Sequence, residues 1–357
     1  GIIKKLYVTG CLSERYKDDL KTDIPEVDGF YGTRDLPELL KNFEAKYRNE
    51  LLGDRIITTD SHYAYLKISE GCDRPCSFCA IPLMRGRHIS KPIDQIILEA
   101  KNLIRNGVRE IMLIAQDSTY YGIDIYKKRA MSELLKKLSD VDGLDWIRIH
   151  YAYPAGFPMD IIDVMRERDN ICNYLDIPLQ HGSTNMLKIM KRGITREKTD
   201  ELIKNIRDIN PEIALRTTLI AGHPGETERD FQEMYDFVER SQFDRLGIFT
   251  YSHEEGTSAH KLEDDVPEQV KRSRSNKIMA LQQKISTEKN KNKVGKTVKV
   301  LVDRVDANNY YGRTEQDSPE DDNEVIIPSK EMHLRVGDFY DVKITDSKEY
   351  DLIGKVD

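Results

Sequence analysis

The chain has 357 residues, a formal net charge of −7 and 33% charged side chains. That length allows two or three domains with a sizeable core and excludes a small binding module. No apolar run is long enough to span a bilayer and no basic-then-apolar leader opens the chain, so the expectation is a cytoplasmic protein without a membrane partner.

Leu6-Tyr7-Val8-Thr9 reads as a strand, Gly10-Cys11 follows, and a polar helical stretch is predicted to about Asn49. Residues 1–60 therefore read as part of a domain, and a first strand so close to Gly1 implies a longer parent chain. From Tyr63 to Tyr251 one pattern repeats: a short apolar strand, a loop, then a helix with apolar residues at three and four spacing. Six strands are predicted, Tyr63 to Ile68, Glu110 to Ala115, Trp146 to His150, Tyr174 to Ile177, Glu212 to Ile220 and Arg245 to Thr250. Between the first two, Pro92 sits where a first helical turn tolerates it, Ile93, Ile96, Ile97, Ala100, Leu103 and Ile104 form one face, and Gly107 closes the helix. Strand-first βα units build a parallel sheet, and six of them predict an α/β fold, a partial (βα)6 TIM-like barrel. Functional residues then belong at strand C-terminal ends, where the loops containing Cys72, Gln116-Asp117, Gln180-His181 and His223 to Glu226 fall. Pro267 to Val294 is helical and basic and reads as a solvated linker helix. From Gly295 onward short strands alternate with turns, predicting a small closed β-barrel of OB-like size.

The sharpest chemical signal is Cys72-Asp73-Arg74-Pro75-Cys76-Ser77-Phe78-Cys79. Three thiolates from one short loop can hold three irons of a cubane cluster and leave the fourth open to substrate. A structural zinc is the alternative, although such a site is normally closed by four ligands and the next cysteine, Cys172, is far downstream. Disulfides fit poorly, since the cysteine count of five is odd. Cys172, among strand-like neighbours, reads as a buried structural thiol.

This octapeptide, with Phe78 before its last cysteine, resembles the signature of the radical S-adenosylmethionine (SAM) enzymes. The resemblance implies a [4Fe-4S] cluster on Cys72, Cys76 and Cys79, whose open iron chelates SAM and whose reduction yields methionine and a 5′-deoxyadenosyl radical. The three-part layout resembles the methylthiotransferases: residues 1–60 from the N-terminal domain that carries an auxiliary cluster, a radical SAM domain over 61–266, a linker helix over 267–293 and a TRAM domain over 294–357. Ile81 to Gly86, Ile177 to Ser183, Met190-Lys191-Arg192 and Gly222 to Thr227 carry this likeness. It implies that Cys11 is one ligand of a second [4Fe-4S] cluster in the parent protein, the two partner cysteines being absent from this chain. It also implies cofactor contacts from Phe78, from Gln116 and Asp117 to the methionine amino group, and from Gly222, Pro224, Gly225 and Glu226 to adenine and ribose. Gln180, Ser183 and Arg216 are further candidates for ribose or carboxylate contacts.

Members of this family modify either an adenine of transfer RNA or the β-carbon of an aspartate in the twelfth small-subunit ribosomal protein. From Val294 to Asp357 nine Lys plus Arg face fifteen Asp plus Glu, a net of −6. A module that captures phosphates is basic. Asp317, Glu320, Asp321, Asp322 and Glu324 read as an acidic loop that attracts a basic ribosomal protein and repels RNA. Ile149 to Pro154, with paired tyrosines, also resembles the protein-modifying branch. The expected partners are thus a basic ribosomal protein and an electron donor, with nucleic acid not a direct substrate. A transfer-RNA methylthiotransferase and a zinc-containing RNA- or ribosome-binding protein remain as alternatives.

Overall fold

In the computed structural model, which describes residues 3–43, 56–329 and 333–356, the chain begins with β1 (Tyr7–Thr9), α1 (Cys11–Arg15), α2 (Lys17–Asp23), β2 (Gly29–Tyr31) and α3 (Leu36–Lys41). β1 and β2 pair in parallel. The polar helical stretch expected here is therefore broken by a strand. Ile24 ends α2 at φ −131° and ψ 69°, because the ring of Pro25 disfavours helical geometry in the residue before it. The end of that expected stretch, residues 44–49, lies outside the described residues.

The next segment runs β3 (Tyr63–Lys67), β4 (Ser69–Glu70), α4 (Ile81–Arg85), β5 (Ile89–Ser90), α5 (Ile93–Arg105), β6 (Glu110–Ile114), α6 (Ile123–Tyr126) and α7 (Met131–Ser139). It continues with β7 (Trp146–Ile149), α8 (Asp160–Glu167), β8 (Ile171–Asp176), α9 (Thr184–Ile189), α10 (Arg196–Ile209), β9 (Ala214–Ala221), α11 (Glu228–Ser241) and β10 (Arg245–Thr250). Six strands form one parallel sheet in the order β3-β6-β7-β8-β9-β10, so each joins its sequence neighbour, as expected of successive βα units. Pro92 stands one residue before the helix rather than within its first turn, at φ −57° and ψ 142°. Alternation along the strands sorts the two faces. Ile111, Leu113, Ile147, Ile149 and Leu175 join the apolar core with the helices, whereas Glu110, Arg148, Tyr174 and Asp176 occupy the opposite set of positions and are buried as well. The second face is thus a polar interior held by ion pairs.

α12 (Glu268–Lys291) is not a solvated linker. It packs against β9, β10 and α11 and buries Lys271, Arg274, Ile278, Leu281, Gln282 and Ile285. Arg274 reaches Glu226 at 2.8 Å, Lys271 reaches Asp264 at 2.7 Å, and Gln282 donates to the Phe243 carbonyl at 3.0 Å. The basic run misleads because Arg274 and Lys289 are neutralised by carboxylates distant in sequence, and charge alone does not reveal a partner.

β11 (Thr297–Val305), β12 (Asn309–Arg313), β13 (Val325–Pro328), β14 (Phe339–Ser347) and β15 (Leu352–Val356) close a barrel in the order β11-β12-β13-β15-β14. Gly312 permits its closure, since a Cβ there would lie 2.5 Å from the Leu301 carbonyl oxygen.

The acidic loop between β12 and β13 overturns the expectation placed on it. It enters the N-terminal end of the parallel sheet and is paired internally. Asp317 is clasped by Arg245, Asp322 accepts from Tyr174 at 2.9 Å and lies 3.4 Å from Arg216, and Glu320 accepts from Tyr63 at 2.8 Å. Glu324 pairs with Arg304 at 2.7 Å. Arg313 reaches Glu110 at 2.7 Å, and Arg148 donates to the Glu315 carbonyl at 2.7 Å. Of the five acids Asp317 and Asp322 have side chains only 2% exposed, whereas Glu320 and Asp321 remain at the surface. Below this polar layer Leu301 packs with Trp146, Cys172, Tyr174 and Ala214, and Phe339 stacks edge-on against Trp146. Two of the five acids read as a docking patch, Asp317 and Asp322, instead neutralise cations of the parallel-sheet domain.

Candidate active site

The three cysteines lie in the loop that follows β4. Gly71 makes its entry possible: φ is +81°, and a Cβ would lie 2.2 Å from the Arg87 carbonyl oxygen. Cys72 N–H donates to the Gly86 carbonyl at 3.0 Å, Ser77 N–H to the Met190 carbonyl at 3.0 Å, and the Ser77 carbonyl accepts from Ala259 N–H at 2.7 Å. His223, buried beneath the loop, meets Ser77 Oγ at 3.2 Å. The loop is therefore pinned from three directions.

Cys72, Cys76 and Cys79 line one cavity of about 440 Å³ together with Arg74, Phe78, Gln116, Tyr151, Tyr153, Gln180, Arg192, Arg216, Phe249 and Asp321. Burial pushes the Cys72 thiol up to about 11 against the opposing hydrogen bond from Arg74 N–H, and burial likewise raises Cys79. Arg192 Nη1 donates to Cys76 Sγ at 3.0 Å, and Arg74 N–H to Cys72 Sγ at 3.4 Å. The guanidiniums of Arg74 and Arg192 both lie on the ring of Tyr153, 4.0 and 4.3 Å from its centroid. Four buried polar atoms of lining residues have no hydrogen-bond partner among the described residues: Arg74 Nη2, Gln116 Oε1, Gln180 Oε1 and Arg192 Nε. Buried donors and acceptors left open in this way fit a polar ligand. Gln180 at φ +75° and Tyr151 at φ +59° place strained backbone in the same wall.

Of the residues expected around a cofactor, Phe78, Gln116, Gln180 and Arg216 share this cavity with the cysteines. Arg216 is held by Asp176 at 3.1 Å. Others have polar atoms engaged in bonds within the protein. Asp117 is buried, accepting from Arg74 Nε at 2.7 Å and from Thr119 at 2.6 Å. Ser183 is buried and donates to Asp230 at 2.6 Å. Glu226 accepts from Gly222 N–H at 2.8 Å and from Arg274, tying the turn after β9 to α12. Gly222 faces Lys271, Pro224 accepts from His223 at 3.0 Å through its carbonyl, and Gly225 N–H donates to Asp265 at 2.7 Å. None of these lines the cavity. Strand-end position singled them out; the side chains of Asp117, Ser183 and Glu226 and the backbone of Gly222, Pro224 and Gly225 make internal bonds.

Cys11 opens α1, which packs against α4, the helix just beyond Cys79. Arg34, in the loop after β2, also reaches α4, donating to the Arg85 carbonyl at 2.6 Å. Cys172 is buried beside Arg148, its thiol pushed up to about 12 by burial. The residues that sequence reasoning passed over are Arg74, Tyr151, Tyr153, Arg192 and Asp321. The first four lie inside segments already conspicuous for their pattern. Asp321 was read with its acidic neighbours as a docking loop, because nothing local says that a loop of the C-terminal barrel returns to this cavity.

A partial barrel of six parallel strands with a three-cysteine loop at its mouth and a small closed β-barrel at its base defines a radical SAM protein with a TRAM domain. Residues 66–238 match the family model described as the Radical SAM superfamily, and residues 294–356 match that of the TRAM domain. The fold is also similar to that of the cobalamin-dependent S-adenosylmethionine radical enzyme OxsB, with a TM-score of 0.51 at 13% identity, covering 71% of this chain and 41% of that one. Among curated proteins the chain is similar to ribosomal protein uS12 methylthiotransferase RimO of Cytophaga hutchinsonii, 58% identical over 100% of this chain and 82% of that protein. The RimO proteins of Christiangramia forsetii, at 56% over 99% and 79%, and Bacteroides thetaiotaomicron, at 52% over 100% and 82%, are similar too. The chain belongs to the RimO family of ribosomal protein uS12 methylthiotransferases, which sets aside the transfer-RNA and zinc-protein alternatives.

Proposed function

We propose that this chain transfers a methylthio group to ribosomal protein uS12, at the β-carbon of an aspartate, by radical SAM chemistry. The observation that carries the reading is the convergence of Cys72, Cys76 and Cys79 on one cavity bordered by four buried polar atoms without partners. The three cysteines would hold a [4Fe-4S] cluster with SAM beside it. When bound and reduced, that cluster supplies the single electron that cleaves the cofactor's C5′–S bond.

The chain's own residues bind and orient. Burial keeps the free Cys72 and Cys79 thiols protonated at neutral pH, so loading releases protons and becomes easier as pH rises. Gln116 and Gln180 offer acceptors to the cofactor's ammonium and hydroxyl groups, while Arg74 Nη2 and Arg192 Nε offer donors to its carboxylate. Phe78 provides an apolar wall. Cys11 would contribute to a second cluster, a role supported by the packing of α1 on the helix after Cys79. The reaction also needs a low-potential electron donor, and its ribosomal substrate implies the cytoplasm.

Anaerobic reconstitution followed by iron, sulfide and 5′-deoxyadenosine measurement tests this. One four-iron cluster and reductive SAM cleavage are expected, and Cys76→Ala should abolish both. Undiminished cleavage by that variant would refute the assignment.

A further inference from the structure

Arg192 is 5% exposed, yet it has no carboxylate within ion-pair reach among the described residues. Its acceptors are the Pro178 carbonyl at 2.6 Å and Cys76 Sγ at 3.0 Å, and its flat face rests on Tyr153. The other buried arginines are treated differently. Arg148 faces Glu110, Arg245 faces Asp317, Arg274 faces Glu226 and Arg313 faces Glu110 and Asp303. A buried cation without its counter-ion is strongly unfavourable, so this one is expected to have an anion that the protein itself does not provide.

We propose that Arg192 is the counter-charge of the cluster ligated by Cys76, a positioning residue that raises the cluster's reduction potential. The proposal rests on the cluster assignment made above. Three thiolates leave the cluster core with net negative charge, and reduction adds one more. A fixed guanidinium bonded to a ligating sulfur stabilises the reduced form more than the oxidised form, because the interaction grows with the negative charge it faces. The geometry is held from three sides: Tyr153 O–H donates to the Arg192 carbonyl at 2.8 Å, the Pro178 carbonyl anchors Nη2, and the Tyr153 ring supports the plane. The electron balance is simple. A one-electron donor such as dithionite is oxidised, the cluster is reduced, and no bond is made or broken.

The test is a redox titration of the reconstituted chain, followed by electron paramagnetic resonance without SAM, so that contacts of Arg192 with the cofactor cannot enter. Arg192→Gln should shift the reduction equilibrium about tenfold toward the oxidised cluster, which is about 59 mV for a one-electron couple. Arg192→Lys, which keeps the charge, should recover most of that shift. If the glutamine variant fails to fold by circular dichroism, Arg192→Met, which keeps the packing of the stem on Tyr153, is read in the same way. A loaded neutral variant with a potential within twofold of the parent in equilibrium terms overturns the proposal. If the parent chain itself binds no iron and sulfide, the cluster assignment fails instead, and the two failures are distinct.

Discussion

The clearest consequence of the inserted loop is that Asp317 holds the two barrels together. Asp317 and Arg245 have side chains 2% and 8% exposed. The carboxylate accepts from Arg245 Nε at 3.0 Å, from a second guanidinium nitrogen and from Thr314 Oγ1 at 2.6 Å. Asp317→Ala removes all three bonds and strands a buried guanidinium, for which about 3–5 kcal/mol is the expected loss. The lower end is appropriate, since Asp322 also attracts Arg245. Urea unfolding of the apo chain at pH 7, followed by far-ultraviolet circular dichroism, measures it. The double replacement Arg245→Met with Asp317→Leu should recover about 2 kcal/mol of the loss, because it leaves no charge unpaired. Burial alone would raise the Asp317 carboxyl, but Arg245 and Lys293 outweigh it and leave the pKa lowered. A carboxylate lowered on folding contributes stability above its unfolded value of about 3.9 and loses it as pH falls through the folded value. The difference between parent and variant should therefore persist at neutral pH and shrink below about pH 4. A loss under about 1 kcal/mol at pH 7, or one unchanged in acid, would refute the claim that this pair ties the barrels together.

Two further outcomes follow from the same interface. Burial first, then the neighbouring Arg148 and Arg216, depress His150 to about 3; the unfolded chain thus binds the extra proton below about pH 6.5, and stability should fall as pH drops from there toward 3. His150→Asn should flatten that part of a stability–pH profile, and an unchanged slope would count against it. Leu301→Ala, at the seam with Trp146, should cost about 2–5 kcal/mol, and because Trp146 is the chain's only tryptophan, its fluorescence should lose the signature of burial at lower urea than in the parent.

Much of the fold was legible because it is encoded locally. Apolar runs of strand length alternating with three-and-four-spaced helices identify the successive βα units, and evenly spaced short strands identify the C-terminal barrel. The three-cysteine loop was legible for the same reason, since a short peptide carries both the spacing and the donor chemistry. The preference for a protein substrate was also reached from sequence, and family membership supports it, but part of its argument fails. The acidic loop counted as a partner-seeking surface is mostly folded into the molecule.

Other features depended on long-range pairing. Charge along a chain does not tell whether Arg274 or Asp317 faces water or a partner, because the partner is supplied by a distant segment. Strand-end position placed Gln116 and Asp117 side by side, yet the side-chain directions send one into the cavity and the other to Arg74. The sequence by itself determined the βα order, the closed β-barrel and the thiol loop, all of which rest on neighbours within a few residues. Tertiary structure alone decided which charges are buried, that Arg192 faces a thiol rather than a carboxylate, and that Asp321 of the C-terminal barrel borders the radical cavity. Those outcomes depend on burial and on contacts across 72 to 257 residues of chain, a separation over which a local pattern carries no information.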